Sequence, residues 1–236
     1  MVNDMHGNRI FSYIPGAFTG ILLQVSRPMP SRERGKKLRE EVQSPTEDLM
    51  REHGLLHRLL LVYENLIEKS MEKGSVDVLN LNKAAITIKD YIHDHHEREE
   101  EDFLFPRFRD AGYLVDLVET LNEQHDKSRP ITDRIIDLTR PGTMTDEVLW
   151  LEIVDSCKTF TQMYRHHSAR EDTILFPALY DICTREDIDD IKGKMEERDE
   201  RFEKDKGLER LLANISRIEQ AAGTADLSRY TPKRSL

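Results

Sequence analysis

Cysteine is nearly absent from this chain. Cys157 and Cys183 are the two it has, too few for a disulfide framework and wrongly spaced for a thiolate zinc site, so a reducing compartment fits. An excess of positive charge is missing as well. Lys and Arg number 35 against 45 Asp and Glu, a net charge of −10, which disfavours a nucleic-acid partner or an anionic membrane surface and leaves a small molecule or ion as the better partner class. There is no apolar run long enough to span a bilayer: the uncharged stretch from Ile10 to Val25 is short and interrupted by Pro15. As an export signal that stretch lacks a small-residue cleavage site after Val25, and its weakly basic start contains Asp4. A cytoplasmic protein is therefore expected, with export as the alternative. A nucleophile–base triad, a phosphate-binding glycine loop and a zinc finger are absent too.

What the chain has instead is a repeat. His95-His96, Glu100, Glu101 and Leu104-Phe105-Pro106 recur as His166-His167, Glu171, Asp172 and Leu175-Phe176-Pro177 at a constant offset of about 71 residues. A looser copy precedes each, with Leu49, Glu52, His53, Leu59 and Leu66 matched by Leu121, Gln124, His125, Ile131 and Leu138. Self-similarity of this length points to duplication of one structural unit, a helical pair.

The length suits one domain with extensions. Residues 1–44 read as an N-terminal extension or linker, from the basic run Arg32 to Arg39 and its flanking prolines. A helix is expected from Ser44-Pro45-Thr46-Glu47, where capping and early acidic residues suit a first turn, to about Glu72, before Lys73-Gly74-Ser75. Leu49, His53, Leu56, Leu60, Tyr63 and Ile67 step along it by four and three, the seam of a bundle helix. A second helix spans about Val76 to Arg109 with Ile86, His93, His96, Glu100 and Phe103 on one face, and a third begins after Gly112 and ends before Pro141-Gly142, with Leu114, Val118, Leu121 and His125 in register. The fourth carries Ile153, Cys157, Phe160, Tyr164, His167, Glu171 and Ile174. Short connections make neighbours antiparallel, so the fold class is all-α, an up-down-up-down four-helix bundle over residues 45–182. Residues 183–236 add two charged amphipathic helices, Arg185 to Glu203 and Leu208 to Ala222, expected to cover the bundle and bring no chemistry.

In a helix, positions four apart share a face, so His96 with Glu100 and His167 with Glu171 each form a ligand pair. His53 and His125 complete a set of four imidazoles and two carboxylates in the bundle interior. Two buried carboxylates facing each other are costly, and two divalent cations remove that cost. The expected division is two histidines per metal with both glutamates bridging and coordination positions left open for water, hydroxide or an exogenous ligand. Imidazole and carboxylate together suit iron, with manganese or zinc as alternates. His57, His93 and Tyr164 are candidates for a spare ligand or for residues supporting the ligands. His95 and His166 point about 100° away from their neighbours. The acidic run Glu97 to Asp102, apart from Glu100, is expected on a solvated face, and the Leu-Phe-Pro motifs are expected to close the ligand helices.

From about Thr46 to Tyr180, Glu52-His53, His96-x-x-x-Glu100-Glu101, His125 and His167-x-x-x-Glu171-Asp172, with the two Leu-Phe-Pro motifs, resemble the hemerythrin-like family, also called the HHE cation-binding domain. The resemblance implies a non-haem di-iron centre with a bridging oxo or hydroxo group. It implies binding, sensing or reaction with a small ligand such as oxygen, nitric oxide or peroxide. Oxygen-carrying members have a second histidine four residues after the one on the third helix, where this chain has Arg129. They have an aspartate at the position of Asp172, while the internal repeat favours Glu171 as ligand. Iron storage, delivery or repair of iron centres is one alternative, though residues 1–44 lack the cysteine-containing module of repair relatives. A structural or regulatory bundle stabilised by metal is another.

Overall fold

The computed structural model describes residues 44–73, 77–143, 146–203 and 207–232. The expected N-terminal linker, Ser44 excepted, lies outside them, as does the uncharged stretch weighed as an export signal. The described residues are all-helical, without strands, and none of their helices is long and apolar enough to cross a membrane.

Four rods carry the site. The first is α1 (Pro45–Lys73). Ser44 is a buried part of its start, its hydroxyl paired with those of Thr46 at 2.8 Å and Tyr180. The second rod is continuous but mixed: α2 (Val78–Thr87), a π-helical stretch π1 (Ile88–His96), α3 (Glu97–Glu99), π2 (Glu100–Leu104) and α4 (Phe105–Ala111). Asp77 caps it by accepting from the Asn80 amide at 3.0 Å. Its end is a Schellman turn at Gly112, φ +61°, where the Gly112 and Tyr113 amides donate to the Arg109 and Phe108 carbonyls. The third rod is α5 (Val115–Leu138), and the fourth is α6 (Glu147–Arg170), π3 (Glu171–Leu175) and α7 (Phe176–Ile182), capped by Asp146. Helices α8 (Arg185–Glu203) and α9 (Gly207–Ala222) follow.

The Leu-Phe-Pro motifs do not close the ligand helices, contrary to expectation. Both rods run on through them by way of a π turn, in which the Phe105 amide bonds to the Glu100 carbonyl and the Phe176 amide to that of Glu171. Pro106 and Pro177 have no amide to donate, and in a regular helix their rings would meet the carbonyl four residues back; the wider turn accommodates them. One extra residue per turn moves the buried face along by one. Leu104 and Leu175 are therefore fully buried, whereas Ile174, expected in the seam, is 44% exposed and Phe103 is only partly buried. Ile86, before π1, is likewise 40% exposed.

The first rod packs against the second and against α6, and α5 packs against the second rod and α6. Two apolar clusters fill the interior. One joins Leu56, Leu60, Ile92, Ile135, Ile153, Phe160 and Tyr164, and the other joins Leu49, Leu104, Phe105, Val118, Leu121, Leu175 and Phe176. On every rod the proposed ligands lie between a residue of one cluster and a residue of the other: His53 between Leu49 and Leu56, Glu100 between Ile92 and Leu104, His125 between Leu121 and Ile135, Glu171 between Tyr164 and Leu175. A buried Leu or Phe contributes about 1.5–3 kcal/mol relative to exposure, so the two clusters can hold a polar layer between them. The last helices extend both, α8 through Ile188, Ile191 and Met195, α9 through Leu211, Ile215 and Ile218. Arg58 clamps α9 to α1 with a two-pronged ion pair to Glu219 at 2.7 and 2.6 Å.

Candidate metal centre

The six expected ligands converge, all at most 2% exposed. The imidazoles meet in two pairs, His53 with His96 and His125 with His167, each with Nε2 atoms 3.1 Å apart. Two carboxylates join the pairs. Glu100 lies with Oε1 3.5 Å from His96 Nε2 and Oε2 3.4 Å from His125 Nε2, while Glu171 Oε2 lies 3.2 Å from His53 Nε2 and 3.0 Å from that of His167. Each glutamate thus touches one histidine of either pair.

Every one of the four rings turns its other nitrogen outward to an acceptor. His53 Nδ1 meets Asp172 at 2.7 Å, His96 Nδ1 meets Glu52 at 2.7 Å, His125 Nδ1 meets Glu101 at 3.1 Å and His167 Nδ1 meets Gln124 at 2.9 Å. Acceptors there put the proton on Nδ1 and present Nε2 inward, the orientation an imidazole needs to bind a metal. These four supports are themselves repeat partners, Glu52 with Gln124 and Glu101 with Asp172. Sequence reasoning aligned them without seeing their role; the signal was their place beside a ligand in both copies. Asp172 supports His53 and leaves the central position to Glu171, as the repeat favours.

The electrostatics show what the cluster lacks. All four oxygens of Glu100 and Glu171 are buried without a hydrogen-bond donor, which in an apolar setting costs about 1–3 kcal/mol per unsatisfied group, more if charged. Burial, reinforced by the facing Glu171, pushes the Glu100 carboxyl well above its ordinary range. Glu171 shifts the opposite way: burial opposes ionisation, but His167 and His53 more than offset it. Burial likewise opposes protonation of His53, yet Asp172 and Glu171 raise it to about 9, and Glu97 and Glu101 raise His125. Metal-free, the cluster balances its charge with protons. The donor set and the orphaned oxygens fit divalent cations in their place.

Next to this layer lies a second network. Glu97, fully buried, accepts from the Tyr164 hydroxyl, contacts His93 Nδ1 at 2.8 Å and pairs with Arg129 at 2.9 Å. Burial works against its ionisation, but His125 and His93 hold it at about 2. His93 and Tyr164, repeat partners, thus meet on one carboxylate rather than on the six expected ligands. Arg129 also pairs with Glu101, the support of His125. The acidic run is accordingly not a solvated face: Glu97 and Glu99 are buried and Glu101 half-buried. His57 is exposed, its Nε2 bonded at 2.9 Å to the Ser168 hydroxyl and away from the pairs, and His166 is exposed.

A helical bundle with paired imidazoles and carboxylates at its centre defines a class of cation-binding protein, and the comparisons agree. The model of the hemerythrin HHE cation binding domain matches residues 44–179 and, displaced by about one repeat, residues 116–231. The chain belongs to the hemerythrin HHE cation-binding family. Among its relatives are the uncharacterized proteins Rv1995 of Mycobacterium tuberculosis and Mb2018 of Mycobacterium bovis, each 33% identical over 210 residues that cover 88% of this chain and 82% of the relative. No solved structure matches the chain.

Proposed function

We propose that this protein holds two iron ions as a non-haem di-iron centre and uses them to bind, sense or react with a small ligand such as oxygen, nitric oxide or peroxide. The observation that carries the reading is the pairing: two sets of inward Nε2 atoms 3.1 Å apart, spanned by two carboxylates whose oxygens have no other partner. His53 and His96 would hold one ion, His125 and His167 the other, and Glu100 and Glu171 would bridge them. The order in which the rods pass between the two apolar clusters supports the up-down-up-down bundle that such a site requires. Bound there, two irons would supply redox chemistry and, with fewer than six protein ligands each, open coordination positions.

The chain's own groups prepare that chemistry. Asp172, Glu52, Glu101 and Gln124 fix the ring orientations. Leu104, Phe105, Leu175 and Phe176 cover one side of the layer and Tyr164 lies against the other, its ring 5.2 Å from that of His167, which limits water. Arg129 is tied to Glu97 and Glu101, so it adds positive charge to the supports without offering a ligand atom. Anaerobic ferrous reconstitution followed by oxygen, nitric oxide or peroxide tests the reading. New visible absorption supports it. An unchanged spectrum in protein that retains iron rejects it, and a metal that only raises the melting temperature would favour the structural alternative.

A further inference from the structure

We propose that Glu52, His95, Glu99 and Asp199 form a third divalent-cation site, where the first rod, the second rod and α8 meet, beside the core pair. His95, the neighbour of a core ligand, points the other way. Its Nε2 lies 3.1 Å from Asp199 Oδ1, 3.8 Å from Glu52 Oε1 and 4.0 Å from Glu99 Oε1. Ligand atoms about 2.1 Å from one metal lie roughly 3–3.5 Å from each other: Asp199 already meets this spacing, Glu52 Oε1, which also accepts from the Tyr91 hydroxyl at 2.7 Å, lies just beyond it, and Glu99 would have to close in from 4.0 Å. The ring is held in place by Tyr91 stacked at 5.4 Å and Phe202 at 5.1 Å.

Two further observations point to a cation. Glu99 is 1% exposed, and its Oε1, the atom turned toward His95, has no hydrogen-bond partner. Three carboxylates also converge on a single imidazole. The neighbouring cation, Arg198, acts on Glu99 through space but pairs with Asp102 at 2.6 Å and lies 4.5 Å over the Phe103 ring. One imidazole with three carboxylate oxygens is a donor set for zinc, manganese or ferrous iron. Asp199 is half-exposed and opens the site to solvent. Glu52 links the two: its Oε1 faces the third site and its Oε2 holds His96. A cation there ties α8 to the bundle.

The site does not rest on the reading of the core. Metal-free full-length protein is dialysed against zinc or manganese and its metal counted by mass spectrometry, alongside Asp199→Asn, His95→Gln and the double variant Glu100→Ala, Glu171→Ala, with circular dichroism to confirm folding. The expected result is one equivalent lost, or weakened at least tenfold, in Asp199→Asn and His95→Gln but retained in the double variant. That outcome stands whether or not the core binds. Overturning results are an equivalent that survives both single variants, or no equivalent beyond those the double variant abolishes. Asp199 is half-exposed and Asn is nearly isosteric, so that variant folds and keeps the test decisive if His95→Gln does not.

Discussion

Glu100 and Glu171 are poor choices for a folded core and good ones for a metal. Each is fully buried, its carboxylate oxygens facing imidazole nitrogens and without a hydrogen-bond donor. Burial and the facing Glu171 favour the protonated Glu100 carboxyl in metal-free protein, and a buried polar group left without a hydrogen-bond donor costs about 1–3 kcal/mol. Glu100→Leu should therefore abolish metal binding at the core pair while leaving the melting temperature of metal-free protein unchanged or higher; a large fall would mean the carboxylate is structural. The supports behave differently. Gln124→Ala removes the acceptor that orients His167 and should weaken metal binding about 10–100-fold with the fold intact, read by competition against a chromogenic chelator. Glu52 is the less clean target because it also meets Tyr91 at 2.7 Å and faces His95. All four supports stand at repeat positions, so the pattern held the clue, but a carboxylate beside a histidine does not reveal which ring it will reach.

Among the elements, the π turns decide which residue faces inward. A period of 3.6 residues carries the seam correctly as far as Glu171 and then misassigns Ile174, because π3 inserts one residue before Leu175. Proline after phenylalanine reads as a stop, and it acts as one only when no wider turn can take the ring. The bend between the second and third rods depends on Gly112, whose φ of +61° is left-handed and whose surroundings leave a Cβ free of contacts within 4 Å. Gly112→Ala should cost about 1 kcal/mol through backbone strain alone, measured by chemical denaturation of metal-free protein. A much larger loss would show that the turn also packs. The C-terminal helices pack against the first and second rods, and α8 brings Asp199 to His95, chemistry that sparse apolar spacing gave no sign of.

At the level of the whole molecule, metal and protons compete for one layer. His53 is raised to about 9 by Asp172 and Glu171 against the opposing effect of burial, and its protonated form stabilises the metal-free fold below its unfolded value. That contribution is lost as pH rises through about 9. Metal requires the neutral ring, so apparent affinity should rise with pH from neutrality toward 9, and loading in weak buffer should release acid. Isothermal titration in buffers of differing ionisation enthalpy measures the protons directly; uptake independent of buffer and pH would contradict this charge balance.

The sequence by itself determined the helical class, the repeat and the six residues that meet, because helix periodicity and duplication are local properties visible in one dimension. It also marked Arg129 as a departure from oxygen carriers. Tertiary structure alone decided that Glu97 and Glu99 are buried, that Asp172 and Glu101 hold rings on other rods, and that His57 turns to Ser168. Those outcomes depend on which faces of separate rods come together, and on π turns that rotate the rods partway along. The chain pattern records spacing along a helix, whereas partners across the bundle are chosen only when the rods pack.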